Sequence, residues 1–227
     1  MSIGSHAAKD YDCKSYFAEH AATAEMGMLK PRPANFGFGV VRRIFDLVFA
    51  LIASVVCIPV IVIFGLLIFL QDGGPVFYLQ ERVGLQGKHF MIYKLRSMCL
   101  DAEANGAQMA EEDDPRITKI GRFIRKTRID ELPQVINVFK GDMSIIGPRP
   151  ERPIFVVQFN EEIPGFIERL RVKPGITGWA QVNGGYDIST KEKLDLDMYY
   201  INHQSIFLDM KILFKTIKII FTGEGAR

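Results

Sequence analysis

LVFALIASVVCIPVIVIFGLLIFL, running from Leu47 to Leu70, is apolar almost throughout, and the placement of this run decides the fold. At about 1.5 Å per residue it is long enough to cross the ~30 Å hydrocarbon core of a bilayer as one helix. Pro59 falls at its midpoint. A proline there removes a backbone hydrogen bond and clashes with the preceding turn, so a kink or break is expected, each half reaching about half the core. Arg42 and Arg43 precede the run, while Arg82, Lys88, Lys94 and Arg96 follow it. The tendency of basic residues to stay cytoplasmic is met on both sides only if both ends face the cytoplasm. The expectation is a Pro-broken re-entrant helix hairpin over 40–71, in a monotopic membrane protein. A kinked spanning helix and a buried core helix are the alternatives.

The rest of the chain bounds what such an anchor carries. With 227 residues there is material for one substantial domain, expected over 72–222 on the cytoplasmic side, with a short tail at 223–227. Residues 1–39 mix Ala, Gly, Pro and charge without apolar periodicity and read as a mobile arm, not a signal peptide. A net charge of +2 gives no global basic field, so no nucleic-acid partner is expected. Cys13, Cys57 and Cys99 are widely spaced and lack neighbouring ligands, which excludes a disulfide framework and a zinc site and fits a reducing compartment. The sequence holds no repeat, P-loop, Gly-x-Ser-x-Gly elbow or His-Glu-x-x-His motif.

The domain reads as mainly α with a few short strands. Strands are expected at Pro75–Gln80 and Phe90–Leu95; helices are expected over Arg116–Lys126, Pro153–Arg171 with an interruption at Pro164-Gly165, and Lys191–Tyr200. Over Ile206–Thr222, Lys211, Lys215 and Lys218 recur beside a broad apolar face. That pattern fits an amphipathic helix in the membrane interface, or one packed on the core.

Chemistry concentrates between Arg128 and Pro150. Asp130 suits an N-cap and Pro133 a first turn, ahead of an apolar helical run to Phe139. Asp130 and Glu131 would then stand at a helix N-terminus, a place that binds phosphate, with Arg149 held opposite between two prolines. A capped surface helix explains the acidic pair equally well. Lys94 and Arg96 alternate at a strand end and would share one face, toward an anionic substrate or toward solvent. Arg116, Lys119, Arg122 and Arg125 form a basic stripe facing headgroups, a diphosphate or water. Lys173 to Trp179 and Gln181 to Gly185 are glycine-rich and read as loops.

Taken together, the apolar hairpin, Gln80-Glu81-Arg82-Val83-Gly84, Tyr93-Lys94-Leu95-Arg96-Ser97-Met98, Asp130-Glu131-Leu132-Pro133-Gln134, Gly141-Asp142-Met143-Ser144, Gly147-Pro148-Arg149-Pro150 and Pro174-Gly175-Ile176-Thr177-Gly178 closely resemble the bacterial sugar transferases. These are small monotopic polyprenyl-phosphate phosphoglycosyl transferases, and the resemblance runs from about Val40 to Phe221. It implies transfer of a sugar 1-phosphate from a UDP-sugar to polyprenyl (undecaprenyl) phosphate at the cytoplasmic face of the bacterial inner membrane. UMP is released, and the product is a first membrane-bound intermediate for capsule, O-antigen or exopolysaccharide. It further implies Asp130 as covalent nucleophile, Glu131 as its assistant, Mg²⁺ held by both, and Lys94, Arg96, Arg125 and Arg149 on substrate phosphate. Pro174, Gly175, Thr177 and Gly178 match a region linked with the nucleotide. A homo-oligomer stays open. The chain departs from the family pattern at Ile58-Pro59, where a Ser-Pro pair is common, and at Gly185, where an arginine often follows Asn-Gly. The chemistry is coherent in itself, since Mg²⁺ binds through one or two carboxylates plus phosphates and a carboxylate can accept a phosphoryl group covalently.

Overall fold

The computed structural model describes residues 36–104, 114–184 and 188–222. The arm expected over 1–39 lies outside them up to residue 35, as do the tail at 223–227 and Gly185. The described chain is mainly helical, with four short strands and one long apolar helix.

That helix, α1, runs from Phe36 to Asp72 with Pro59 inside it, so one helix stands where two halves separated by a break are expected. Pro59 costs the helix one backbone bond, the one its missing amide would give to the Val55 carbonyl, and the helix continues across it. Ser54 is satisfied within the helix, donating its hydroxyl to the Ala50 carbonyl at 2.7 Å. One stripe of α1 packs on the domain, with Asp46, Ala50, Ser54 and Ile68 buried. Leu51, Val55, Ile58, Val62, Leu66 and Leu70 are each more than half exposed.

Both ends of α1 are fastened to the same domain. Near the start, Arg42 donates to the Tyr200 hydroxyl at 2.7 Å and to the Ile146 carbonyl, and Arg43 donates to the Val138 carbonyl at 2.7 Å. Asp46 accepts from the Ser144 hydroxyl at 2.8 Å and the Ile145 amide at 2.9 Å. At the other end Asp72 pairs with Arg96, and Phe64 stacks on Phe123 with ring centroids 5.6 Å apart.

After α1 the chain forms an antiparallel hairpin of β1 (Phe77–Val83) and β2 (His89–Leu95), in register from Phe77 opposite Leu95 to Val83 opposite His89. Helix α2 (Lys119–Lys126) is capped by Thr118, whose hydroxyl accepts from the Gly121 amide at 2.9 Å. Gly121 must lack a side chain, since a Cβ there would meet the Ser97 carbonyl oxygen at 1.8 Å. Next comes a 3₁₀ turn, Ile129–Gln134, and then α3, Val135–Lys140. Asp130 is therefore inside a tight turn and does not cap a helix. Pro133 disfavours the α conformation in the residue before it, which delays the helix to Val135.

Strand β3 (Ser144–Ile146) pairs in parallel with β4 (Gly175–Thr177), the latter lying inside a segment expected to be loop. Between them lie α4 (Pro153–Glu162) and a 3₁₀ turn at Phe166–Arg171, separated at the expected Pro164-Gly165. Helices α5 (Trp179–Asn183), α6 (Thr190–Asn202, opened by a Ser189–Glu192 capping box) and α7 (Ile206–Thr222) complete the domain. The main core joins Ile92, Val138, Ile146, Tyr200 and Ile212 from β2, α3, β3, α6 and α7, and it includes Ala50 of α1.

Asn137 ties this core to the hairpin. It is fully buried, donating to the Met91 carbonyl at 2.7 Å and accepting from the Tyr93 amide at 3.1 Å. Truncation to Ala leaves two buried backbone groups unmet, at about 1–3 kcal/mol each. Asn137→Ala is expected to lower the unfolding midpoint in detergent by several degrees, whereas an unchanged midpoint would show that the tie does not hold the hairpin.

Candidate active site

Three elements bring their charged residues to one place. Strand β2 carries Lys94 next to its last residue, the turn before α3 carries Asp130 and Glu131, and the segment after β3 presents Arg149 between buried Pro148 and Pro150. Glu131 is the hub. Its Oε1 accepts from Lys94 Nζ at 3.2 Å and from Arg149, whose other terminal nitrogen reaches Oε2 at 3.2 Å. Burial alone would raise the Glu131 pKa, but the charges of Arg149 and Lys94 outweigh it and hold the carboxyl well below its usual range.

Asp130, next to it, is 7% exposed, and its carboxylate takes part in no hydrogen bond or salt bridge among the described residues. Burial pushes its carboxyl up to about 6, against the pull of Lys94 and with a further push from Glu131. Arg125, near the end of α2, acts on Asp130 through its charge. The backbone around the pair is also held away from the ordinary: Arg128, just before the turn, has φ 57°. Two adjacent carboxylates thus differ in kind, Glu131 ionised and clamped, Asp130 unclamped.

The other candidate residues sit elsewhere. Arg96 lies beyond the last residue of β2, so the strand alternation does not carry it onto the face of Lys94. It is buried and pairs with Asp72, securing the end of α1. Pro174, Gly175, Thr177 and Gly178 line up along β4 against the Arg149 segment. The Gly147 amide donates to the Thr177 carbonyl at 2.8 Å, and the Gly175 amide to the Pro148 carbonyl at 3.0 Å. A Cβ at Gly175 would come within 2.0 Å of the Gly147 nitrogen, and one at Gly178 within 2.1 Å of its oxygen. These glycines permit two backbones to touch, which fixes the direction of Arg149.

As for a metal, no cluster of three or more His, Cys, Asp or Glu side chains occurs among the described residues. The adjacent carboxylates nevertheless fit Mg²⁺, which takes one or two protein carboxylates and completes its shell with water and substrate phosphates. The unclamped Asp130 is the open donor of the two.

The family model described as bacterial sugar transferase matches residues 38–223, the long apolar helix and the site together. The chain belongs to the bacterial sugar transferase family. A UDP-N-acetylgalactosamine-undecaprenyl-phosphate N-acetylgalactosaminephosphotransferase of Aeromonas hydrophila is 48% identical over 212 residues, covering 92% of this chain and 49% of the relative. Sugar transferase EpsL of Bacillus subtilis is 44% identical over 82% of this chain and 90% of its own length. An undecaprenyl-phosphate glucose phosphotransferase of Komagataeibacter xylinus is 38% identical over 91% of this chain and 41% of its own length. The chain thus spans about half the length, or less, of two of these relatives.

Behind the site of this bacterial sugar transferase lies a charge network that sequence reasoning missed. Glu151, directly after Pro150, meets Lys193 of α6, Arg82 at 3.7 Å and Arg169 at 3.9 Å, and Arg169 pairs with Asp197 at 2.6 Å. The partners lie 18 to 69 residues away in sequence, so spacing gives no sign of them; only the position of Glu151 beside the Pro-Arg-Pro segment could point to a role. Burial would raise the Glu151 pKa, but Lys193, Arg169 and Arg82 bring it down to about 2. A carboxyl whose folded pKa lies below its unfolded value stabilises the fold above about 4.5 and loses that contribution as pH falls toward 2. At ~1.4 kcal/mol per pKa unit this is on the order of 3 kcal/mol. Acid unfolding of the wild type is expected to steepen between pH 4.5 and 2 relative to Glu151→Gln; parallel curves would contradict the network.

Proposed function

We propose that the chain transfers a sugar 1-phosphate from a UDP-sugar to polyprenyl (undecaprenyl) phosphate through a covalent aspartyl-phosphosugar intermediate on Asp130, releasing UMP. The observation that carries this reading is the contrast within the acidic pair, since a nucleophile must be unencumbered and only Asp130 is. The donor and acceptor classes are supported by the Aeromonas relative, whose name contains both. In the first displacement an Asp130 oxygen attacks the sugar-bearing phosphorus, the P–O bond to the UMP phosphate breaks, and its electron pair leaves with UMP. In the second, an oxygen of the lipid phosphate attacks the same phosphorus and the carboxylate is regenerated. Lys94 and Arg149 offset the charge that the phosphates bring, and Glu131 holds both cations in place. Asp130 and Glu131 are the residues that would hold Mg²⁺, which would supply further charge neutralisation.

The same reading places the site at the cytoplasmic face of the bacterial inner membrane, with α1 re-entrant. A 37-residue helix that spanned the bilayer would carry its ends to opposite sides. Arg42, Arg43 and Asp46 at one end and Asp72 at the other all bond to one domain, which supports return to the same face. Helix α7 buries Leu208, Ile212 and Leu213 while exposing Phe207, Met210, Phe214 and Ile217 beside Lys211 and Lys218, a surface suited to headgroups above acyl chains. The lipid substrate, costly to extract at ~0.8 kcal/mol per CH₂, then reacts without leaving the bilayer.

A panel of UDP-sugars, beginning with UDP-N-acetylgalactosamine and UDP-glucose, with polyprenyl phosphate, Mg²⁺ and UMP release as readout, tests the reading. At least one sugar is expected to give turnover, and Asp130→Asn to lower it by about a thousandfold or more. Silence across the panel, or near-normal turnover by Asp130→Asn, would overturn it. For topology, Gly39→Cys in a background without Cys13, Cys57 and Cys99 is expected to be protected from impermeant maleimide in right-side-out vesicles. Labelling from outside would indicate a spanning helix.

A further inference from the structure

Beside Glu131 a small cleft is lined by Arg82, Ile92, Lys94, Gln134, Arg149 and Pro150. Two of these residues carry buried donors with no hydrogen-bond partner among the described residues, Arg82 Nε and Gln134 Nε2. Gln134 is 1% exposed. Buried donors are seldom left unmet, and two residues that carry them lining one cleft with a lysine and an arginine mark a place for an oxygen-rich anion. The remaining nitrogens of Arg82 are engaged, with the Pro150 carbonyl at 3.0 Å and with Gln80, so its guanidinium is fixed with Nε left over. Burial pulls that guanidinium down to about 10, against the opposing pull of Glu151.

We infer that Arg82 and Gln134, with Lys94 and Arg149, form a phosphomonoester pocket used in turn by the departing UMP phosphate and by the incoming polyprenyl phosphate. The inference rests on the reaction proposed above. In-line displacement puts the leaving oxygen opposite the attacking Asp130 oxygen. The lipid phosphate must then attack the phosphosugar from the side opposite the Asp130 bond, which is the side that UMP has vacated. Both phosphates therefore occupy one position relative to Asp130, and a single set of donors serves both. Each displacement breaks one P–O bond and forms one, so the pocket supplies hydrogen bonds and charge and exchanges no proton or electron.

Gln134→Met tests the pocket, because it keeps the side-chain volume and removes a donor that currently bonds to nothing. The full chain in detergent or nanodiscs is expected to unfold at or above the wild-type temperature. UMP binding, followed by calorimetry with inorganic phosphate as a second probe, is expected to weaken by about tenfold or more, the effect of one lost hydrogen bond to a charged group. Two half-reactions separate the sources of the phosphate. Release of UMP from UDP-sugar without lipid, and discharge of the sugar-loaded protein by polyprenyl phosphate, are both expected to slow by similar factors. Unchanged UMP affinity would overturn the pocket. Slowing of one half-reaction alone would overturn its shared use. If Gln134→Met does not fold, Arg82→Lys, which keeps the charge and removes Nε, carries the same readings. A wild type that binds UMP but releases none from any UDP-sugar would defeat the proposed reaction and leave the pocket standing.

Discussion

The clamp of Lys94 and Arg149 on Glu131 is the interaction on which the rest of the site depends. Two adjacent carboxylates cannot both be buried and ionised without compensating charge, and the fold divides that charge unequally between them. Glu131 takes the cations' hydrogen bonds, whereas Asp130 feels Lys94, Arg125 and Arg149 only through their charge, which burial and the neighbouring Glu131 outweigh. An acidic pair that looks symmetric in sequence becomes one clamped carboxylate and one unclamped. The division follows from where β2 ends and how the segment after β3 is aimed, since those two elements carry the clamping side chains.

The long apolar helix α1 is part of the same construction. Asp46 bonds to β3 at Ser144 and Ile145, Arg42 reaches Ile146, and Arg149 follows a few residues later. The opposite end of α1 is secured through Arg96, two residues beyond Lys94. The long helix and the charged cluster thus share their supporting strands. A displacement of α1 would be transmitted to Lys94 and Arg149 through a very short stretch of backbone.

Much of this was legible in the sequence, and the exceptions have physical causes. The apolar run from Leu47, the strand ending at Leu95, the interruption at Pro164-Gly165 and helix α7 all follow from periodicity, proline and glycine. Lys94, Asp130, Glu131 and Arg149 stand close together in space, as the motif order led one to expect. Strand β4 escaped notice because three residues beginning with glycine have no pattern, and its glycines exist for contact with Gly147. Arg96 was grouped with Lys94 by an alternation that stops one residue earlier. The Glu151 network and the tie made by Asn137 join residues far apart in the chain, so no local rule could reveal them.

The measurement that tests the central claim most directly is fragment mass spectrometry of the acid-quenched protein after incubation with a turnover-competent UDP-sugar in the absence of lipid. The account predicts a phosphosugar on Asp130 and none on Glu131. An adduct on Glu131, or an unmodified protein that turns over as soon as polyprenyl phosphate is added, would contradict it.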